Sequence, residues 1–326
     1  MATDTWIRNW FGCEQSLCRE RRYPMNNNRP CFAACVLAGL ALVLPLPSPA
    51  QNSGHPVSMW KLDGRSNSVY LLGSVHLLRA DDHPLPSIIQ EAYEDAETLI
   101  MELDMDDLDP VEAQSLLTRL GLIHDDRSLN DLMGPENYAE AERLANSADI
   151  PLAMLAKSEP WLAAITVEQL MLARIGFNPQ FGIEHYMMEK AGADEKEILG
   201  LETVREQLEF LDGMSLEAQT SLLLQSLKES VDIQKIMDEL VHAWRHGDVA
   251  FMEDNMLDEM QQYPELYRTI VVDRNVSWLE QIEDLLDKHD DYLIIVGALH
   301  LIGDDGVPSL LAERGREVVQ LRQTAQ

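Results

Sequence analysis

Residues 292–302 read YLIIVGALHLI, an apolar run followed at once by a Gly-x-x-His motif with Gly297 and His300 as its fixed members. Residues 69–78, VYLLGSVHLL, repeat the arrangement with Gly73 and His76. Both runs have the length and the β-branched or aromatic content of buried strands. Ligands of open α/β sheets bind beyond the carboxyl ends of the strands. We therefore expect His76 and His300 to meet in one site.

The other periodicities in the chain predict its fold class. Apolar residues at three and four spacing indicate helices over residues 110–120, 135–147, 159–175, 183–191, 203–211 and 306–314, with little strand signal over 215–288. Strand-like runs occupy residues 57–62, 68–73, 98–103, 196–201, 292–296 and 317–321. The sequence predicts an α/β (α+β-like) fold, a small central mixed sheet with large helical insertions, and a site at the strand C-terminal ends.

The first 50 residues have the pattern of a signal peptide. An apolar stretch over residues 31–44 is too short to span a membrane comfortably, and Ser48-Pro49-Ala50 supplies small residues for cleavage. Met25 is an alternative start. We predict a signal peptide over residues 1–50 and a single domain over residues 51–326, acting in the periplasm or secreted, with no transmembrane anchor after cleavage.

Charge and cysteine content exclude several classes of protein. The formal net charge of −31 opposes binding to nucleic acid or to anionic lipid. All four cysteines lie within the predicted signal segment, so the exported chain forms no disulfide and no thiolate metal site. They are Cys13, Cys18, Cys31 and Cys35.

Two further strand-like runs end in carboxylates, Glu102 and Glu202. Together with His76 and His300, they form a set that suits a divalent cation such as zinc, manganese or cobalt. A bound cation lowers the pKa of its water and so supplies a hydrolytic nucleophile. The alternative is a metal-free acid/base pair, a histidine with a glutamate whose pKa is shifted by burial.

A helical stretch over residues 267–286 carries Arg274 and Asn275, with Val271, Trp278 and Leu285 predicted to face inward. An arginine near an acidic centre orients carboxylates or binds an oxyanion. We interpret the methionines and Trp161, Trp244 and Trp278 as core residues.

Two other groups of polar residues are interpreted as solvated surface. His242 and His246 lie four apart on a predicted helix, the spacing of a metal-binding pair, but a solvated helix face is favoured. The acidic cluster that follows Glu102 lacks the spacing of a calcium loop. It comprises Asp104, Asp106, Asp107 and Asp109.

These motifs resemble those of the TraB/GumN family, whose animal relatives are the Tiki membrane metalloproteases. The resemblance covers nearly the whole exported chain. It rests on residues 60–62 (WKL), 70–77 (YLLGSVHL), 102–104 (ELD), 182–184 (GIE), 200–203 (GLET), Gln207, 273–275 (DRN) and 296–303 (VGALHLIG).

The resemblance implies a metal-dependent hydrolase, most simply a peptidase. It assigns His76 and His300 to the metal, with Glu102 and Glu202 as acidic partners and metal ligands, and Arg274 and Asn275 as supporting catalytic groups. Glu184 stands where many relatives carry aspartate. The substrate would be a peptide or a small molecule. The alternative is a non-catalytic periplasmic protein that uses the same histidines to sequester a peptide, haem or iron.

Overall fold

The computed structural model describes residues 54–104, 109–230 and 232–324. Each of the six predicted strand runs forms a strand, and the fold class is confirmed as mixed α/β around one six-stranded sheet. The strands are β1 (Gly54–Asp63), β2 (Ser68–Ser74), β3 (Thr98–Leu103), β4 (Glu197–Glu202), β5 (Tyr292–Gly297) and β6 (Val318–Thr324). The predicted signal peptide and its cysteines lie outside the described residues.

The order of strands in the sheet is β4-β3-β5-β2-β1-β6. Strands β4, β3, β5 and β2 run parallel, whereas β1 is antiparallel to both of its neighbours. In the β2–β5 ladder Ser74 pairs with Gly297, and in the β3–β4 ladder Leu103 pairs with Glu202. The register therefore brings the ends of all four parallel strands to one edge of the sheet.

The inner parallel strands β2, β3 and β5 are apolar because helices cover the sheet there, whereas half of the residues of the edge strand β4 are exposed. Leu71, Leu99, Leu293 and Ile294 are all fully buried. Strands buried on both faces read as continuous apolar runs rather than as alternating ones, which is the pattern that made them recognisable.

The helices are α1 (Ser87–Asp95), α2 (Pro110–Gly121), α3 (Leu129–Met133), α4 (Pro135–Ser147), α5 (Pro160–Arg174), α6 (Ile183–Asp194), α7 (Val204–Asp212), α8 (Leu216–Glu229), α9 (Ile233–Arg245), α10 (Val249–Met252), α11 (Asp258–Gln261), α12 (Pro264–Tyr267), α13 (Asp273–Leu285) and α14 (Val307–Glu313). Short 3₁₀ turns occupy Ala80–Asp82, Leu152–Leu155, Pro179–Phe181 and Ala298–Leu301. No helix among these described residues is both long enough and apolar enough to cross a membrane.

The predicted helix over residues 267–286 contains an irregular turn. Residues Arg268–Val272 are π-helical, and α13 begins only at Asp273. Val271 and Trp278 are buried as predicted, but Leu285 is only half-buried. A π-helical turn rotates the residues that follow it relative to those before it, so a single regular period does not describe both parts.

The predicted tryptophan core is confirmed, since Trp161, Trp244 and Trp278 are each at most 2% exposed. Trp244 and Trp278 pack in the main core on the sheet, whereas Trp161 lies in a smaller core among the inserted helices. The interpretation of the methionines as core is wrong for Met154, which lies in the 3₁₀ turn Leu152–Leu155 and is largely exposed.

Helices α8 and α11 meet at two half-buried carboxylates that share one amide group. Gln225 Nε2 donates to Glu229 Oε1 at 2.7 Å and also to Glu259 Oε1. Burial, followed by the negative charge of Glu259, raises the pKa of Glu229 to about 7. The Glu229 carboxyl is therefore protonated at mildly acidic pH, where an ordinary glutamate is ionised.

We expect Glu229→Gln to stabilise the protein by about 2 kcal/mol at pH 8, and this gain to shrink as the pH falls towards about 4.5. A carboxyl whose pKa is raised in the folded state contributes stability below its unfolded pKa, and that stability is lost as the pH rises through the folded value. Urea unfolding of both proteins at the two pH values measures the difference. Glu142→Gln, at an exposed position on α4, is the control; an equal gain for Glu229→Gln at both pH values would contradict the raised pKa of Glu229.

Candidate functional site

His76 lies two residues beyond the end of β2, and its side chain is 58% exposed. Its Nδ1 is 2.8 Å from Glu184 Oε1, and the Ser74 hydroxyl donates to the same carboxylate oxygen. The negative charge of Glu184 raises the pKa of His76 above its ordinary value. Glu184 thus fixes the orientation of the ring and leaves Nε2 directed away from it.

The tripeptide Gly182-Ile183-Glu184 forms a cradle for the backbone around His76. A Cβ on Gly182 would lie 2.0 Å from the His76 carbonyl oxygen, so only glycine permits this approach. Ile183 N donates to Val75 O at 3.2 Å, and Glu184 follows in the first turn of α6. No definite role for Glu184 followed from the sequence, although a glycine directly before a predicted helix with an acid in its first turn was a visible signal.

We expect Gly182→Ala to lower both stability and any activity that depends on His76, because the new methyl group must push the His76 backbone aside. Gly192→Ala is the matched control, since a Cβ at that position of α6 meets open space. Alanine is favoured over glycine inside a helix by up to about 1 kcal/mol, so the control should be slightly stabilised. Thermal unfolding compares the stability of Gly182→Ala with that of Gly192→Ala. Equal unfolding temperatures would show that the backbone around His76 tolerates a side chain at position 182.

Glu102, on β3, points towards the end of β5. Its Oε1 accepts a hydrogen bond from Gly297 N at 2.8 Å. A Cβ built on Gly297 would lie 3.4 Å from Glu102 Oε1, 3.5 Å from His300 Cδ2 and 3.6 Å from His76 Nε2. We call this position the Gly297 point. The structure therefore brings His76, Glu102 and His300 around one small space over a glycine.

His300 lies in the 3₁₀ turn Ala298–Leu301 and is buried. Its Nε2 is 3.1 Å from Arg274 Nη1, and its Nδ1 is 2.7 Å from Asn275 Oδ1. A guanidinium only donates, so Nε2 accepts and Nδ1–H donates to Asn275. Burial lowers the pKa of His300 to about 4, and the ring is therefore neutral at physiological pH.

Arg274 is held by both of the predicted glutamates. Its Nε lies 2.9 Å from Glu202 Oε1, and its Nη2 lies 2.8 Å from Glu202 Oε2 and 2.7 Å from Glu102 Oε2. Trp278 Nε1 donates to Glu202 Oε1 at 3.0 Å, and Gln207 Nε2 donates to both carboxylates. Glu202 thus uses both oxygens to anchor the arginine.

Asn275 fixes the loop that carries His300. Its Nδ2 donates to Asp305 O at 2.8 Å and to His300 O at 3.3 Å, and Tyr267 OH donates to Asp305 Oδ2 at 2.8 Å. Asn275 is completely buried. From α13, the helix that also supplies Arg274, Asn275 holds this loop in place and fixes the tautomer of His300.

The donor atoms determine how a metal could fit. Among residues 54–104, 109–230 and 232–324, no three His, Cys, Asp or Glu side chains are placed to hold a cation together. Of the four predicted ligands, Glu202 and His300 direct their donor atoms at Arg274, whereas His76 Nε2 and Glu102 Oε1 face the Gly297 point. A cation bound by all four would have to displace the guanidinium.

The remaining sequence candidates lie elsewhere. Asp109 caps α2 by accepting from Val111 N at 2.8 Å, and Asp106 and Asp107 fall outside the described residues. His242 and His246 belong to the end of α9 and do not reach this site. A cavity of about 570 Å³ borders Glu202, between the ends of β3 and β4 and helices α2 and α7.

These features define an α/β protein in which two Gly-x-x-His segments on adjacent parallel strands face an arginine–carboxylate cluster. The sequence model of the TraB/PrgY/gumN family matches residues 58–320. The chain therefore belongs to this family, and the resemblance drawn from its motifs is confirmed.

Similar proteins have been found in several bacteria. The chain is 21% identical over 250 residues to the uncharacterized protein YbaP of Shigella flexneri, a match that covers 77% of this chain and 89% of YbaP. YbaP of Escherichia coli (strain K12) is 20% identical, over 74% of this chain and 87% of its own length. An uncharacterized protein of Treponema pallidum (strain Nichols) is 23% identical, over 90% and 95%. No solved structure matches the chain.

Proposed function

We propose that this protein is a hydrolase that activates a water molecule between His76 Nε2 and Glu102 Oε1, beside the Gly297 point. The observation that carries the proposal is the convergence of His76 Nε2 and Glu102 Oε1 within 3.6 Å of that point. Glu102 Oε1 accepts a hydrogen bond, and His76 Nε2 accepts one when its ring is neutral, so water placed between them is then oriented by two acceptors. Because the negative charge of Glu184 raises the pKa of His76 to about 9, the neutral ring and the activity that depends on it should increase as the pH rises towards that value. Gly297 leaves the space that the water needs.

His76 is the proposed general base. Glu184 hydrogen-bonds to His76 Nδ1 and stabilises the imidazolium that forms when Nε2 takes a proton from water. A carboxylate plays the same role beside the histidine of serine hydrolases. The exposed ring is within reach of a substrate. Glu102, kept in place by Arg274, orients the water from the other side.

The divalent cation that the family resemblance implies would be held by His76 Nε2 and Glu102 Oε1, the two candidate donor atoms that do not bond to Arg274. Two protein ligands leave the remaining positions to water and substrate, as in many manganese and magnesium sites. The cation would supply a water of lowered pKa. Glu202 and His300 would then act by holding Arg274 rather than by binding the cation.

The proposed substrate is a peptide or another acyl compound. The cavity beside Glu202 offers room for a substrate side chain next to the reacting centre, with Asp109 and Glu112 on its wall. Activity in the periplasm or outside the cell is proposed from the sequence pattern of residues 1–50 alone.

The experiment is an assay of the metal-stripped chain, reloaded in turn with zinc, manganese and cobalt, against fluorogenic peptides and chromogenic esters. We expect His76→Ala to lose at least about 10²-fold in rate, the usual contribution of a positioned general base. His289→Ala is the matched control, because that exposed ring contacts Ser66 at the edge of the sheet where β2 and β5 begin, opposite the edge that carries the proposed site. Unchanged activity in His76→Ala would disprove the proposal, and peptide binding without turnover under every metal would favour the sequestering protein.

A further inference from the structure

Three histidines stack on the surface where β1 meets the end of α9. The ring centroid of His246 lies 4.2 Å from that of His242 and 4.7 Å from that of His55. From their spacing alone, His242 and His246 were interpreted as part of a solvated helix face. His55 joins them only in the fold, because α9 packs against the first strand.

Hydrogen bonds fix the tautomers of two of these rings. His246 Nδ1 is 2.8 Å from His242 O, and His55 Nδ1 is 2.8 Å from Pro56 O. A backbone carbonyl only accepts, so each Nδ1 carries a proton, and in the neutral form of each ring the lone pair lies on Nε2. Histidines that bind metals characteristically donate their other ring N–H to a carbonyl or carboxylate in this way.

The ring separations are close to those around a metal ion. With zinc–nitrogen bonds of about 2.0–2.1 Å, two imidazoles on one tetrahedral cation have ring centres about 5 Å apart. The ring planes are tilted by 32° between His242 and His246 and by 41° between His55 and His246, and no three donor groups among the described residues converge on one position in this arrangement. His242 is exposed and His246 and His55 are half-buried, so turning the rings requires no change in the core.

The backbone beneath the rings keeps the strand and the helix end in contact. A Cβ on Gly247 would lie 2.6 Å from Val57 N, and Gly247 has a φ of 56°, both of which favour glycine. Ser58 Oγ also donates to Trp244 O at 2.9 Å. The three histidines therefore project from two segments that are already fixed against each other.

We propose that His55, His242 and His246 bind a transition-metal cation such as Zn²⁺, Ni²⁺ or Cu²⁺, at a site separate from the Gly297 point. Neutral imidazole is a preferred ligand of these ions. The site would connect the start of the sheet to the end of α9 and so join the two segments through a metal.

The test is calorimetric titration of the chelator-stripped chain with Zn²⁺ and with Ni²⁺, each alone, after alkylation of its four cysteines. The chain carries His76→Ala, so the proposed catalytic position does not contribute. We expect one equivalent to bind, at least about ten-fold more weakly when His246→Ala or His55→Ala is added. His289→Ala should bind as its parent does.

Circular dichroism without metal verifies that each variant is folded, and His242→Ala decides the result if His246→Ala fails that check. Equal affinity in the folded variants would overturn the proposal. Binding that occurs with His76 present but not in His76→Ala would overturn it as well, by placing the metal at the Gly297 point instead. Neither outcome alters the test of hydrolytic activity.

Discussion

Gly297→Ala is expected to abolish hydrolysis while leaving the fold unchanged. The new methyl group would occupy the Gly297 point, where it meets Glu102 Oε1, His300 Cδ2 and His76 Nε2 at 3.4–3.6 Å. These are ordinary van der Waals distances, and the backbone at Gly297 (φ −49°, ψ 138°) is accessible to alanine. The variant therefore excludes water without straining the protein. Displacing a reacting group by about 1 Å already costs about 10²-fold, so the loss should be at least as large.

Two measurements separate this result from a general defect. Thermal unfolding of Gly297→Ala should match the wild type or exceed it slightly, because alanine restricts the unfolded chain by about 0.4–1 kcal/mol relative to glycine. Gly192→Ala, in open space on α6, should retain full activity. Substantial activity in a folded Gly297→Ala protein would place the reacting water elsewhere.

The largest effect on stability is expected from Arg274→Gln. Arg274 and Glu202 have side chains 9% and 4% exposed, and the guanidinium also bonds to Glu102 and His300. Breaking a buried ion pair by removing one partner costs about 3–5 kcal/mol, because the other charge remains buried without compensation. Urea unfolding at neutral pH measures the loss.

The double variant Arg274→Gln with Glu202→Gln tests this explanation. Removing the uncompensated carboxylate should restore a part of the lost stability, so the two effects should not be additive. Arg174→Gln is the control, since within the described part of the chain that exposed arginine bonds to the carbonyls of Ala148 and Asp149 and to Met171 Sδ, and to no carboxylate. Additive effects of the two substitutions, or an equal loss of stability in Arg174→Gln, would show that the ion pair between Arg274 and Glu202 contributes no coupling energy.

The sheet was predictable because burial on both faces leaves a direct trace in the sequence. Glu102 and Glu202 were found by a positional rule, since residues at the ends of parallel strands must share one edge of the sheet. The same rule applied to the two Gly-x-x-His segments, and the register pairs Ser74 with Gly297. Local sequence and topology together were sufficient to locate these four residues.

Contacts between side chains were not predictable in the same way. The hydrogen bonds of Arg274 to Glu202 and His300 decide which predicted ligands face the Gly297 point. These hydrogen bonds depend on the orientation of α13, which follows a π-helical turn. Glu184 is distant from His76 in sequence, and its role follows from the cradle at Gly182. Such pairings arise from packing between elements, which leaves no periodic signal.

The central position of β5 has a consequence for the order in which the chain can fold. Among the described strands β5 alone joins β2 to β3, and it follows β1 to β4 in the chain. Until it is available, β1–β2 and β3–β4 have no ladder in common, and pairings between distant segments are slow to form. Gly297 and His300 arrive with it. The proposed site is thus completed only after β1 to β4 have been synthesised, and a translation product shortened before Tyr292 would have neither a continuous sheet nor this centre.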